Sequence, residues 1–145
     1  MTDDAGRAWA SMQRFVESQD RRRELADAWG FRPGGGRGKV LLQLRDGPRT
    51  LGQLAEANAV DPAYATLIVD KLEDHGLVER RPHPEDRRRK LVVLTQAGID
   101  AVSTADAIWL RPPAALRAMP ADDLSRLADL VGRLVEDPDA GTTAS

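Results

Sequence analysis

Six of the 21 basic side chains in this 145-residue chain lie within the eleven residues from Arg80 to Lys90. The segment that begins at Glu79 and ends at Lys90 carries six positive and three negative charges. Because the whole chain is −2 at pH 7, the remainder carries −5. Guanidinium groups match the geometry of phosphate oxygens, so the cluster indicates a local phosphate-binding patch on an otherwise acidic body. A solvated charged loop is the alternative, and the flanking elements bear on the choice.

Two runs rich in strand-forming residues flank the basic cluster, LVERRP at 77–82 and KLVVLT at 90–95. Such runs on either side of a polar loop predict a β-hairpin. Side chains alternate between the two faces of a strand, so the arginines cannot all point one way. Some of them are therefore expected to be only solubilising residues.

Two short helices are predicted upstream of the hairpin. Thr50 and Gln53 form a capping box at the start of the first, and Asp61-Pro62 places an N-cap residue and a first-turn proline at the start of the second. Gly76 ends this second helix, whose buried face is expected to contain Ala65, Ile68, Val69 and Leu72. A helix-turn-helix followed by a β-hairpin is a winged helix.

Helical spacing of apolar residues predicts a further helix over residues 4–29. The glycine-rich segment RPGGGRG at 32–38 is interpreted as a connector, because it lacks the GxxxxGK[ST] spacing of a phosphate-binding loop. A short apolar helix is expected over residues 39–45. Thr95 is the candidate N-cap of a helix that Pro112-Pro113 must break or kink, and a last helix starts near Pro120.

The composition limits the classes of protein. Apolar residues make up 41% and charged residues 30% of the chain, as in ordinary globular proteins. No apolar run approaches the 18 or so residues of a membrane span, and the acidic N-terminus is unlike a secretory signal. The chain has no cysteine, so disulfides and thiol chemistry are excluded, and a cytoplasmic location is expected.

The hairpin resembles the wing of the multiple-antibiotic-resistance regulator (MarR) family. The family's D-P-x-D-R-R pattern corresponds to the run from His83 to Arg88, with Leu94-Thr95 and Gly98 in register, and VDKLEDHGLVERR at 69–81 resembles the end of the recognition helix and the first wing strand. Three departures are His83 in place of an aspartate, the Pro112-Pro113 break, and the missing cysteine of peroxide-sensing members.

The resemblance implies a mainly α fold with a small β-hairpin, formed as one domain over residues 1–145. It places a winged helix-turn-helix lobe at 37–95, dimerisation helices at 4–31 and 96–136, and a disordered tail at 137–145. The implied function is sequence-specific, repressor-type regulation of transcription. In that function a homodimer binds a pseudo-palindromic double-stranded DNA operator and is released by a small aromatic or phenolic effector. No cofactor, metal or membrane is expected.

The predicted DNA-binding residues come from the second short helix and the wing. After removal of its buried face, the helix presents Pro62, Ala63, Tyr64, Thr66, Leu67 and Lys71. No arginine is among them, so a bidentate contact to guanine is not available from the helix itself. Leu67 either meets a thymine methyl or is tucked inward. The wing is expected to contribute Arg80, Arg87, Arg88 and Arg89.

By resemblance, Arg88 enters the minor groove, and Asp86 pairs with an arginine and so orients the wing tip. An ordinary turn acid is the alternative for Asp86. Candidates for an effector pocket are Trp9, Met12, Trp29, Phe31 and Trp109, although aromatic residues at helical spacing are more often part of a core.

Two other classes of function remain as alternatives. An enzyme or metal site has little support, since His75 and His83 lack an acid–base partner at motif spacing and could meet Asp74 or Glu85 only if the fold joined them. A winged helix that binds a protein partner is the stronger rival, because the helix without arginine favours it. The arginine-rich wing favours DNA.

Overall fold

A computed structural model describes residues 3–137 of the chain, which divides after Leu110 into two compact units. Over the described residues, the helices of the first unit are α1 (Asp4–Ser18), α2 (Arg22–Trp29), α3 (Arg37–Gln43), α4 (Leu51–Ala57), α5 (Pro62–Asp74) and α6 (Gln96–Trp109). Its strands are β1 (Arg49–Thr50), β2 (Val78–Pro82) and β3 (Lys90–Leu94). This mainly helical arrangement with a small sheet confirms the predicted fold class.

The prediction of one helix over residues 4–29 is wrong, because the structure has two helices, α1 and α2, in that range. The side chain of Asp20 accepts a hydrogen bond from the backbone N–H of Arg22 at 3.0 Å. Such a bond to the residue two positions on offers the backbone an alternative to the helix. No apolar residue lies between Val16 and Leu25, so no continuous buried stripe opposes the break.

The glycine-rich segment 32–38 is a connector only as far as Gly36, because α3 begins inside it at Arg37. Gly36 has a φ of +86°, a conformation that residues with a side chain rarely adopt. Gly38 is buried in the first turn of α3, where a Cβ atom would lie 2.8 Å from the Cβ of Pro33. The predicted helix at 39–45 is therefore shifted, and a 3₁₀ turn at Leu44–Asp46 completes it.

The helix-turn-helix is formed by α4 and α5. The predicted capping box is present, since Gln53 N–H donates to Thr50 Oγ1 at 3.1 Å and Thr50 N–H donates to Gln53 Oε1 at 2.9 Å. Asp61 occupies the N-cap position of α5 as predicted, but its side chain makes no capping bond. The predicted buried face of α5 is confirmed, and it packs in one core with residues of α3, α4 and the sheet.

The wing is an antiparallel hairpin in which β2 pairs with β3, as predicted. A third strand was not predicted: β1 pairs with the other edge of β3, which gives the order β1-β3-β2. A strand of two residues is too short to show the alternation of apolar and polar side chains that predicts a strand. The strand joins the start of α4 to the wing and fixes the hairpin against the helix-turn-helix.

The first turn of α6 is bonded to the segment that links α5 to β2. Thr95 Oγ1 donates to the carbonyl oxygen of Gly76 at 2.6 Å, and the Thr95 N–H donates to that of Leu77 at 3.0 Å. The same hydroxyl accepts the N–H of Gly98 at 3.1 Å, which confirms Thr95 as the N-cap. A Cβ atom at position 98 would lie 2.0 Å from the Leu77 carbonyl oxygen, so this close approach requires glycine.

The predicted break at Pro112-Pro113 is confirmed, since α6 ends at Trp109. The second unit contains α7 (Ala114–Arg117) and α8 (Ala121–Glu136) over its described residues. Neither α1 nor α8 has a buried residue, although both are strongly amphipathic. No helix in the described range is long and apolar enough to cross a bilayer. Of the predicted tail at 137–145, residues 138–145 lie outside the described residues.

Candidate nucleic-acid interface

The outer face of α5, called here the recognition helix, presents the predicted residues to solvent. Its exposed members are Pro62, Ala63, Tyr64, Leu67 and Lys71. Leu67 is 51% exposed, which decides against the alternative that it is tucked inward. Thr66 is half-buried, and its hydroxyl donates to the carbonyl oxygen of Pro62 at 3.0 Å. It therefore has less freedom to meet a base than its neighbours.

Tyr64 joins the recognition helix to the glycine-rich segment. Its hydroxyl donates a hydrogen bond to the carbonyl oxygen of Gly35 at 3.1 Å. On the next turn of the helix, Ile68 lies so close to Gly36 that an added Cβ would be 2.9 Å from the Ile68 Cδ1. The glycines are therefore needed for the segment to lie directly against the recognition helix.

This packing brings an arginine beside the recognition helix that the sequence interpretation missed. A shallow depression is lined by Gly35, Arg37, Tyr64, Leu67, Ile68 and Lys71. The Nε of Arg37 donates to the Gly34 carbonyl oxygen at 3.0 Å, which holds the guanidinium at this position. The helix without arginine thus has a guanidinium at its side, supplied by α3. A signal was present, because glycines before an arginine permit close approach of the backbone to a neighbour.

The wing tip, residues His83–Arg89, carries three adjacent arginines, Arg87, Arg88 and Arg89, and all three are exposed. Within the part of the chain that the structure describes, none of their side chains has an ion pair or hydrogen bond. Three guanidinium groups with free donors are therefore available at the most exposed part of the hairpin.

Asp86 orders this tip in a way that differs from the expected pairing with an arginine. No arginine side chain lies within ion-pair distance of Asp86 among the described residues. Its carboxylate instead accepts the backbone N–H of Arg88 at 3.0 Å, and its carbonyl oxygen accepts the N–H of Arg89 at 3.0 Å. The acid is thus a turn-forming residue, as its alternative interpretation had it, and the turn sets the position of Arg88.

His83, which replaces the aspartate of the family pattern, makes the equivalent bond at the other side of the tip. Its Nδ1 accepts the backbone N–H of Glu85 at 3.1 Å. The backbone N–H of His83 donates to the carbonyl oxygen of Arg89 at 3.0 Å, which closes the hairpin. The Nδ1 atom of His83 therefore performs here the acceptor role that a carboxylate oxygen would perform.

Arg80 lies apart from the exposed arginines. Its guanidinium forms ion pairs with Asp70 and Glu73 of the recognition helix, at 3.0 Å for Glu73, and its side chain is 21% exposed. Burial acts to lower the pKa of Arg80, but the hydrogen bond that Arg80 donates to Asp70 and the charges of Glu73 and Asp70 outweigh it, so the pKa is raised. Arg81 pairs with Glu79 on the same strand.

The five candidate effector-pocket residues are not equivalent. Trp29 and Phe31 stack with their ring centroids 5.4 Å apart, and Trp29 Nε1 donates to the Ala101 carbonyl oxygen at 2.9 Å. Both pack on the core. The remaining three, Trp9, Met12 and Trp109, are exposed on α1 and α6.

The two histidines are also separated by role. His75 stacks on Phe31 with centroids 4.4 Å apart, whereas His83 belongs to the wing tip. Over residues 3–137, no group of three or more His, Asp or Glu side chains is placed to hold a metal ion.

A sequence model of the MarR family matches residues 38–90, which run from α3 to the first residue of β3. The "Uncharacterized HTH-type transcriptional regulator ML2140" of Mycobacterium leprae (strain TN) is 34% identical over 96 residues, covering 63% of this chain and 67% of that protein. The HTH-type transcriptional repressor NicR of Pseudomonas putida (strain KT2440) is 44% identical over 60 residues, 41% of this chain and 38% of NicR.

Among solved structures, RV1404 from Mycobacterium tuberculosis superposes with a TM-score of 0.75 and 25% identity. The match covers 92% of this chain and 90% of that one. It therefore includes the helices on both sides of the winged lobe as well as the lobe itself. With the sequence relatives and the geometry of the wing, it establishes that the chain belongs to the MarR family of DNA-binding transcriptional regulators.

Proposed function

We propose that the protein is a repressor that binds a pseudo-palindromic operator as a homodimer and is released from it by a small aromatic or phenolic molecule. The observation that carries the DNA-binding part is the wing tip. Three exposed arginines without partners among the described residues lie on a turn held by Asp86 and His83. A turn that is held by hydrogen bonds at both sides fixes the direction of its arginine side chains, whereas a solvated loop leaves their directions variable.

The contacts divide by type. Arg87, Arg88 and Arg89 neutralise backbone phosphates, and Arg88 enters the minor groove, where a narrow A·T-rich stretch concentrates negative potential. The recognition helix reads bases in the major groove through Pro62, Ala63, Tyr64, Thr66, Leu67 and Lys71, with Arg37 beside it. Its apolar members suit thymine methyl groups.

The homodimer is supported by the helices outside the winged lobe. The large apolar side chains of α8 that are exposed in the single chain are Leu130, Val131, Leu134 and Val135, and those of α1 are Trp9, Met12 and Val16. Burial of such stripes is the usual source of helix stability, and a second copy would cover them. A two-fold dimer places its recognition helices about 34–36 Å apart, one turn of DNA.

Repression and release by an effector rest on the family. NicR, which is similar to this chain over 60 residues, is named a repressor. Of the candidate effector residues that pack on the core, Trp29 is only half-buried and so keeps some aromatic surface for a planar molecule. As a regulator of transcription, the protein acts in the cytoplasm.

Selection of bound duplexes from a random pool tests the proposal. The full chain should enrich a two-fold symmetric sequence, and its affinity should fall steeply with salt. Absence of binding to any duplex at low salt would overturn the proposal in favour of a winged helix that binds a protein partner. An enriched sequence without symmetry would contradict the homodimer on its operator.

A further inference from the structure

Arg80 lies on the inner face of the wing hairpin. It pairs across the ladder with Val92 and is two residues from Val78, and both of these valines are buried. Directly opposed residues, and residues two apart along a strand, have their side chains on the same face of a sheet. The Arg80 side chain is therefore directed toward the protein and the recognition helix, unlike the exposed arginines of the wing tip.

The guanidinium of Arg80 bridges two acids one turn apart on the recognition helix. Nη1 lies 3.0 Å from Glu73 Oε1, and Nη2 donates to Asp70 Oδ1. These acids remain about half exposed, at 44% for Glu73 and 51% for Asp70. They are therefore partly accessible on the helix that approaches DNA, while the arginine between them is mostly covered.

The charge of the recognition helix makes this bridge important for DNA binding. From Pro62 to Asp74 the helix contains the acids Asp70, Glu73 and Asp74 and a single base, Lys71, for a net charge of −2. Negative side chains near phosphates oppose binding by direct repulsion. With the Arg80 charge included, the net charge of this surface is −1.

We propose that Arg80 is a positioning residue that promotes DNA binding by neutralising Asp70 and Glu73, without itself touching DNA. The inference rests on the proposed function and deepens it, because it assigns to one wing arginine a task different from that of Arg87, Arg88 and Arg89. It also explains how a recognition helix with three acids can lie in the major groove.

The test is a cycle of variants of the full chain: Arg80→Gln, the double change Asp70→Asn with Glu73→Gln, and all three changes together. Affinity is measured by fluorescence anisotropy on a labelled duplex of the selected sequence at two salt concentrations. Arg81→Gln is the matched control, since Arg81 is the next residue on β2 but pairs with Glu79 on the other face. Circular dichroism checks that each variant is folded.

The expected result is a loss of affinity of about tenfold for Arg80→Gln, because two uncompensated carboxylates then face phosphates. The double variant should bind at least as tightly as the unaltered chain. The triple variant should recover to within about twofold of it, because substitutions within one ion-pair network are not additive. The control should change affinity by less than Arg80→Gln.

Three results would overturn the inference. If Arg80 contacts DNA directly, Arg80→Gln will cost the same in both backgrounds and will lower the salt slope by about one. If the bridge is only a structural brace, the double variant will bind as poorly as Arg80→Gln, a result that is readable even if Arg80→Gln fails to fold. Failure of the unaltered chain to bind any duplex would overturn the proposed function, and the inference with it.

Discussion

The hydroxyl of Tyr64 on the recognition helix donates a hydrogen bond to the carbonyl oxygen of Gly35, 29 residues earlier in the chain. The bond lies at the edge of the surface assigned to DNA. It joins the recognition helix to the segment that precedes Arg37. The recognition surface is therefore built from two separate parts of the chain, and the link between them can be tested.

The variant Tyr64→Phe keeps the ring and removes only the hydroxyl. Because the bond is partly exposed, its loss should lower the free energy of unfolding by no more than about 1 kcal/mol. DNA affinity should fall by more than this stability loss explains, since the segment that carries Arg37 is released. Urea unfolding and anisotropy on the same protein check both quantities, and unchanged affinity would show that the link has no part in binding.

The variant Arg37→Gln tests the arginine that α3 supplies. We expect its DNA affinity to fall by about 1–3 kcal/mol and the slope of log affinity against log salt to decrease by about one. Lys39→Gln is the control, because Lys39 is exposed on the same helix but does not line the depression beside Tyr64. If the two variants lost the same affinity, Arg37 would act only through the net charge of the protein and not through a contact of its own.

At the wing tip, Asp86 and Arg88 should respond differently to substitution. Arg88→Ala should weaken binding by about 1–3 kcal/mol, as expected for a minor-groove and phosphate contact. Asp86→Ala should also weaken binding although it removes a negative charge, because the Arg88 N–H loses its acceptor. Asp86→Asn keeps an acceptor oxygen and should retain affinity. Tighter binding by Asp86→Ala would show that charge alone matters.

His83 should be replaceable by a residue that accepts the same hydrogen bond. Asparagine has an oxygen acceptor and forms the equivalent turn, so His83→Asn should bind DNA within about twofold of the unaltered chain. His83→Ala leaves the Glu85 N–H without this partner, and it should bind more weakly and show faster amide exchange at the wing tip. The opposite ranking of the two variants would contradict this role.

The helix α8 should carry part of the dimer interface. Leu134 is 58% exposed in the single chain, and Leu134→Glu would place a charge in an apolar contact. Light scattering should return a dimer for the unaltered chain and a monomer for this variant. Asp129→Lys, on a different side of the same helix, should leave the dimer intact. A dimer that survives Leu134→Glu would exclude this part of α8 from the interface.

Local signals accounted for most of the winged lobe. The capping box at Thr50, the buried stripe of α5, the stop at Gly76 and the two wing strands each depend on residues close in sequence, and each is present. The break between α1 and α2 also had a local signal, the absence of apolar residues between Val16 and Leu25. The break was missed because apolar residues recur at helical spacing on both sides of it.

The parts that sequence reasoning missed depend on contacts across the chain. Arg37 reaches the recognition surface only because the glycine-rich segment packs on Ile68, and nothing near Arg37 in the sequence specifies that neighbour. Arg80 is different, since it was expected to contact DNA although its spacing of two residues from Val78 is that of the inner face of the strand. Its partners on α5 were not predictable, because residue spacing along a strand shows on which face a side chain lies and not which residues of another helix it meets.

The bonds from Thr95 to Gly76 and Leu77, with the contact at Gly98, have a mechanical consequence. The beginning of α6 is therefore hydrogen-bonded directly to the two residues that follow the recognition helix and its cap. A rotation of α6 would therefore move the recognition helix and the wing together with it. In the proposed homodimer, a signal that reached α6 would change the distance between the two recognition helices by rigid tilting.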